Sequence, residues 1–175
     1  MIQTSFQEGE LCFEFKVPAE KFDEEGKARP HGMSFVDFVI FEKERMLLLE
    51  VKDPSVSAIP KQHKSSQQRK FANKILSGQL IAEELVPKAR DSYCLLHLMK
   101  RDNQPLVFVV LLGLSALPRE KALLTGFKDR LLARLRQETD LPWKREYVED
   151  CIVVSEQNWA TIFPNHRLRR IETKN

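Results

Sequence analysis

No pair of cysteines in this chain stands close enough to bracket a metal ion. Cys12, Cys94 and Cys151 are odd in number, widely spaced and make no CxxC pair. That spacing argues against a disulfide framework and a structural zinc site, and it points to a reducing compartment. The histidines are as scattered: His31, His63, His97 and His166 form neither HxH nor HxxxH. The longest apolar run, LVFVVLLGL at residues 106–114, is far too short to span a bilayer. The opening MIQTSFQEGE has neither a basic stretch nor an apolar one, so no secretory signal is expected. Internal repeats and low-complexity linkers are missing too. Net charge is only +3, too little to name a partner by itself. These absences leave a soluble, cytoplasmic protein with no membrane partner as the expectation.

What is present is ordinary globular composition, 42% apolar and 30% charged over 175 residues, enough for one domain with a real core. Alternation predicts a strand over 10–17, then a polar loop over 18–33 and two strands over 34–42 and 45–53. Helical periodicity follows, with Ser65 or Ser66 as cap and an end near residue 78. A second helical piece covers about 80–100, kinked or restarted by Pro87. Residues 106–114 are apolar on both faces and read as a central strand. A helix opened by Pro118 then runs to about 137, with Leu124, Phe127, Leu131 and Leu135 along its buried stripe. A last strand over 150–154 precedes a short helix that Ser155 caps and Pro164 ends. The order β-β-β-α-β-α-β-α predicts a single α/β domain with a mixed central sheet flanked by helices.

Within the hairpin FVDFVIFEKERMLLLEVKDP, three charges stand where core residues are expected: Asp37, Glu50 and Lys52. Side chains alternate along a strand, so Glu50 and Lys52 share one face of theirs. If the EKER turn closes evenly, on two or on four loop residues, Asp37 lies opposite Glu50 on the same face. Cross-strand Cβ atoms are roughly 4.5–5.5 Å apart. Two ionised carboxylates at about 5 Å repel by roughly 3 kcal/mol even at an effective dielectric near 20, and desolvation adds to that. A divalent cation between them removes the repulsion, since Mg²⁺ takes one or two carboxylates and completes its shell with water and phosphate oxygens. The competing reading is a plain Asp37–Lys52 ion pair on a half-exposed face, with Glu50 solvated. A three- or five-residue loop would separate Asp37 from Glu50 altogether.

On these residues the sequence resembles the PD-(D/E)XK nuclease superfamily, the restriction-endonuclease-like fold: an Asp on one strand, a short turn, then E-V-K ending the next. The likeness extends over a core of about 34–115, with a helix–strand–helix extension over about 116–170. It implies a Mg²⁺-dependent nuclease, with Mn²⁺ as a substitute metal. Asp37 and Glu50 would be its metal-binding carboxylates, the Val51 carbonyl a further ligand and Lys52 the catalytic lysine. It also implies DNA in preference to RNA, and the option of working as a homodimer. Val36 stands where the family has proline. The glutamate that family members often carry on an N-terminal helix has no clear counterpart, since a strand comes first here. Glu8, Glu10 and Glu14 are the candidates. Of the glutamines after the lysine, Gln68 and Gln79 fall on the same side of the helix, and Gln68 is the better counterpart of the polar residue members carry there. The alternative is a non-catalytic module of the same fold that binds nucleic acid or a protein partner.

Between Asp53 and Glu83 there is no acidic residue, while Lys61, Lys64, Arg69, Lys70 and Lys74 fall in that stretch. An acid-free basic segment directly after the charged hairpin suits contact with a phosphate backbone, where Lys and Arg replace condensed counterions. The basic residues on the later helix are interleaved with acids and read as a solvated surface.

Overall fold

The structure, a computed structural model, describes residues 4–24, 26, 30–54, 61–113 and 120–171. Two sheets organise the chain. Strands β1 (Thr4–Glu8), β2 (Leu11–Phe15) and β8 (His166–Arg170) form a three-stranded sheet in the order β1-β2-β8, antiparallel throughout. Strands β3 (Ala19–Lys21), β4 (Phe38–Phe41), β5 (Met46–Lys52), β6 (Leu106–Leu112) and β7 (Asp150–Ser155) form a five-stranded mixed sheet in that order. Its first three strands pair antiparallel and its last three parallel.

Helix α1 (Lys61–Ser77), a π-helical segment (Leu80–Leu85) and helix α2 (Val86–Leu98) make the crossover from β5 to β6. Helix α3 (Glu120–Arg136) makes the next, from β6 to β7. Helix α4 (Glu156–Ile162) links β7 to β8 and is capped by Ser155, whose Oγ accepts from Asn158 N.

Two apolar layers hold the sheets and helices together. On one face of the five-stranded sheet, Val39, Met46, Leu48, Phe108 and Val110 pack with Ile75, Leu80, Leu85, Phe127, Leu131 and Leu135 from the helices. On the other face, Phe38, Ile40, Leu47, Leu49 and Val109 meet Leu11, Phe13, Phe15 and Trp159. Burial of each such side chain stabilises by about 1.5–3 kcal/mol relative to exposure. Trp159 keeps its indole N–H satisfied by the His166 carbonyl at 2.7 Å. The fully buried β6 sits centrally, between β5 and β7, as its unbroken apolar run requires.

Helices therefore flank one face of the large sheet, and a second sheet with α4 covers the other. The sequence reading placed one strand over 10–17; the chain instead forms a hairpin, β1–β2, turning at Gly9 and Glu10. Gly9 adopts φ +56°, the left-handed conformation a two-residue hairpin loop requires. Strand β3 lies in the segment read as loop, and β8 lies past the last element the sequence predicts. Helix α1 begins at Lys61, ahead of Ser65 and Ser66. Pro118 and the residues around it lie outside the described residues, as does the side chain of Leu124. No helix among the described residues is long and apolar enough to cross a membrane.

Close approach fixes one glycine. A Cβ on Gly113, just past β6, would lie 2.3 Å from Asp53 Oδ1 and 3.1 Å from Asp53 Cα. Asp53 cannot swing away freely, because its other oxygen accepts from Arg170 Nη1 at 2.8 Å. Gly113→Ala is expected to destabilise the fold by about 1–3 kcal/mol through overpacking. A thermal melt indistinguishable from wild type would contradict this.

Candidate functional site

The β4–β5 register fixes the site. Phe38 pairs with Leu49, Val39 with Leu48 and Phe41 with Met46. The four residues 42–45 form the loop, an even closure, and the same register carried one step further sets Asp37 opposite Glu50. Asp37, just before β4, and Glu50 are buried, at 7% and 1% exposure. Both stand at the end of β5 from which the crossover to β6 departs, the end of parallel strands where α/β sheets offer crevices for ligands.

Asp37 Oδ2 accepts a 2.6 Å hydrogen bond from Val51 N. That donor is available because Lys52 turns its carbonyl to the β6 side, accepting from Gly113 N at 2.9 Å. Alternation along β5 then aims the N–H and C=O of Val51 at the other edge, beyond the end of β4 and toward Asp37. Burial, and after it the negative charge of Glu50, push the Asp37 carboxyl up to about 7, against the opposing pull of Lys88 and the Val51 N–H.

Glu50 is held differently. Its Oε1 lies 2.7 Å from Lys88 Nζ and 3.0 Å from Lys52 Nζ. Its Oε2 is buried and has no hydrogen-bond partner among the described residues, and a bare buried carboxylate oxygen is costly. Lys52 Nζ also reaches Glu84 Oε2 at 2.8 Å, and Glu84 Oε1 in turn accepts from Lys74 Nζ at 2.8 Å. Burial opposes the charge on Lys52, but Glu50 and then Glu84 outweigh it and hold the ammonium pKa above its ordinary value. The simple Asp37–Lys52 ion pair does not form; Lys52 pairs with Glu50 and Glu84 instead.

Glu84 and Lys88 escaped the sequence reading. They stand four apart, in a polar stripe that continues through Asp91 and Ser92 along a helical stretch whose other residues, Arg90 apart, are apolar. Asp91 Oδ2 accepts from Ser34 N at 2.9 Å and Ser92 Oγ from Val36 N at 3.0 Å, so the same stripe tethers the chain entering β4. The spacing of Glu84, Lys88, Asp91 and Ser92 was the available signal. The wide π turn before Pro87 aims it: Pro87 has no N–H to offer the Glu83 carbonyl, and an α turn would press its ring onto that carbonyl.

Neither protein-family models, nor curated proteins, nor solved structures match this chain. Two carboxylates and a main-chain carbonyl are hard oxygen donors of the kind Mg²⁺ or Mn²⁺ takes, and the unpartnered Glu50 Oε2 fits such a ligand. No group of three or more His, Cys, Asp and Glu side chains that could hold a metal occurs among the described residues. Any such ion would rely on water and substrate oxygens for the rest of its shell.

Beside Lys52 opens a cleft of about 500 Å³ between β5 and the first helices, lined by Lys52, Gln67, Lys70, Phe71, Lys74 and Glu84 among others. Gln67, rather than Gln68, faces this cleft. Arg69 and Lys70 are exposed, whereas Lys74 is paired with Glu84. The side chains of Lys61 and Lys64 lie outside the described residues. Among the N-terminal glutamates, Glu8 pairs with Lys21 at 2.8 Å and is near enough to Asp37 to disfavour its charge. Glu10 is engaged by Arg170 and Glu14 by Arg167.

Proposed function

We propose that this chain is a Mg²⁺-dependent nuclease with a restriction-endonuclease-like core, hydrolysing phosphodiester bonds in DNA. The observation that carries the reading is the buried Asp37–Glu50 pair. An apolar hairpin gains nothing structurally from two adjacent carboxylates, one of them pushed up to about 7. When bound, Mg²⁺ or Mn²⁺ would supply Lewis-acid stabilisation of the phosphate and a more acidic water. Asp37, Glu50 and the Val51 carbonyl would hold it.

Lys52, kept protonated by Glu50 and Glu84, would donate to the attacking water or to a phosphate oxygen and neutralise charge developing there, rather than take a proton. Lys70, Lys74 and Arg69 would meet the flanking backbone phosphates, with Gln67 as a neutral donor in the cleft. DNA rather than RNA follows from the family resemblance.

A second reading has its own support: Lys88 already neutralises Glu50 at 2.7 Å, as a binding module that no longer uses metal would need. Incubation of purified protein with plasmid and with single- and double-stranded oligonucleotides in Mg²⁺ or Mn²⁺ separates the two. Wild type is expected to cut, and Lys52→Ala to lose at least about 10²–10³-fold in rate with an unchanged circular dichroism spectrum. Equal cutting by Lys52→Ala would defeat the nuclease reading. Nucleic-acid binding without any cutting would favour the module.

A further inference from the structure

Lys88 is a cation at this site that the family likeness does not ask for, and its surroundings are specific. Its side chain, 18% exposed, comes from the first turn of α2, just after Pro87, and its ammonium meets Glu50 Oε1 at 2.7 Å. Asp23, in the segment between β3 and β4, offers a second carboxylate at 3.7 Å. Lys52 approaches the same Glu50 oxygen, so both ammonium groups crowd Oε1 while Oε2 is left without a hydrogen bond among the described residues.

A divalent cation held by Asp37 and Glu50 would bring two positive charges to within a few ångströms of both lysines. Lys52 has a place to stay, because Glu84 also holds it, at 2.8 Å. Lys88 has no such brace on its own helix. Its alternative seat is Asp23, 3.7 Å away. The two lysines are thus built for different fates: one is braced in position, the other can move off Glu50 without leaving the reach of a carboxylate.

We propose that the Lys88 ammonium is a tethered counter-ion that occupies Glu50 in the metal-free protein and gives it up to an incoming divalent cation, so that Lys88 sets the metal concentration at which the site fills. This rests on reading Asp37 and Glu50 as the metal-holding pair. Metal binding then breaks a charge-assisted hydrogen bond before it makes new bonds. Removing the ammonium removes that competition. The cost of its removal falls on the metal-free state, where Asp37 and Glu50 face each other with one ammonium fewer to offset them.

The test is calorimetric titration of MnCl₂ into metal-free protein at pH 8, with Asp37→Asn as the blank that identifies binding at this site. Lys88→Met keeps the length and the apolar stem without the charge; Lys88→Gln is the second variant should the first fail to fold. Either variant is expected to bind Mn²⁺ about tenfold more tightly than wild type, the scale of one charge-assisted hydrogen bond no longer broken. Each is also expected to melt at lower temperature without metal and to gain more from added Mn²⁺. Binding by the variants alone, with wild type silent, supports the proposal in its strongest form. Unchanged or weaker Mn²⁺ binding by both variants, with an Asp37-dependent site present in wild type, overturns it and leaves the metal pair standing. No Asp37-dependent binding in any of these proteins overturns the metal pair, and the proposal with it.

Discussion

Asp37→Asn is expected to silence cleavage by at least about 10³-fold, roughly 4 kcal/mol of barrier, while making the metal-free protein more stable at pH 8. Asparagine keeps an oxygen in place for the 2.6 Å hydrogen bond from Val51 N, so the chain entering β4 stays anchored. It removes the charge that burial and Glu50 oppose. The carboxyl is pushed from 3.8 to about 7, so at pH 8 the folded protein carries an ionised group it would rather hold neutral. Relief of that penalty amounts to as much as about 4 kcal/mol, taking roughly 1.4 kcal/mol for each unit. Initial cleavage rates in Mg²⁺ and urea denaturation without metal check the two halves separately. A variant that cuts like wild type denies Asp37 any part in holding metal. One that is less stable at pH 8 denies that the carboxyl is held against its preference.

The same carboxyl dictates a pH dependence of unusual sign for an acid. Its folded pKa, about 7, lies above the ordinary value of 3.8. Between those values the folded chain keeps a proton that the unfolded chain releases. Stability from this group is therefore fully present below about pH 4, is lost as pH rises toward 7, and is flat beyond. Glu84 works the other way: burial raises its pKa, but Lys52 and Lys74 outweigh that and lower it. Its contribution is present above its ordinary value of 4.5 and lost as pH falls below it, outside the window from 5 to 7.

The difference between wild type and Asp37→Asn isolates the Asp37 contribution from the histidines, which both proteins share. That difference is expected to favour the variant increasingly from pH 5 to pH 7.5. Mn²⁺ binding should mirror it, since a metal takes the ionised carboxylate: close to one proton released per site at pH 6, almost none at pH 8.5. Calorimetry in two buffers of different ionisation enthalpy reads that release. A stability difference that stays constant across the window contradicts the raised carboxyl.

The hairpin was legible because its information is local. EKER closes on an even number of residues, and alternation along two apolar strands then leaves Asp37 and Glu50 only one arrangement. Ser155 before an apolar-periodic stretch gave the α4 cap for the same reason, and the stripe of Phe127, Leu131 and Leu135 gave the buried face of α3. Of the second sheet only β2 was legible, inside the strand read over 10–17. Strand β3, at the edge of the large sheet, is three residues, AEK, with no alternation to detect. In β8, HRLRR, three arginines mask the alternation of buried His166 and half-buried Leu168. Those charges are satisfied far away in sequence: Arg170 by Glu10, Asp53 and Glu156, a placement no window reveals. Glu84 and Lys88 lie between these extremes. Their spacing is visible in the sequence, but the direction they face depends on a wide turn that propensity does not predict.

That wide turn also makes residue count a property of the site. Each residue of an α-helix turns the chain by about 100°, so losing one residue within Leu80–Leu85 would swing everything after it by more than a quarter circle. Lys88, Asp91 and Ser92 would leave Glu50 and the 34–36 backbone together, although not one of them had been changed. The crossover thus carries a phase as well as a set of side chains. A sequence sharing every charged residue of this site but spaced one residue shorter would fold its helix out of step with the strand it serves.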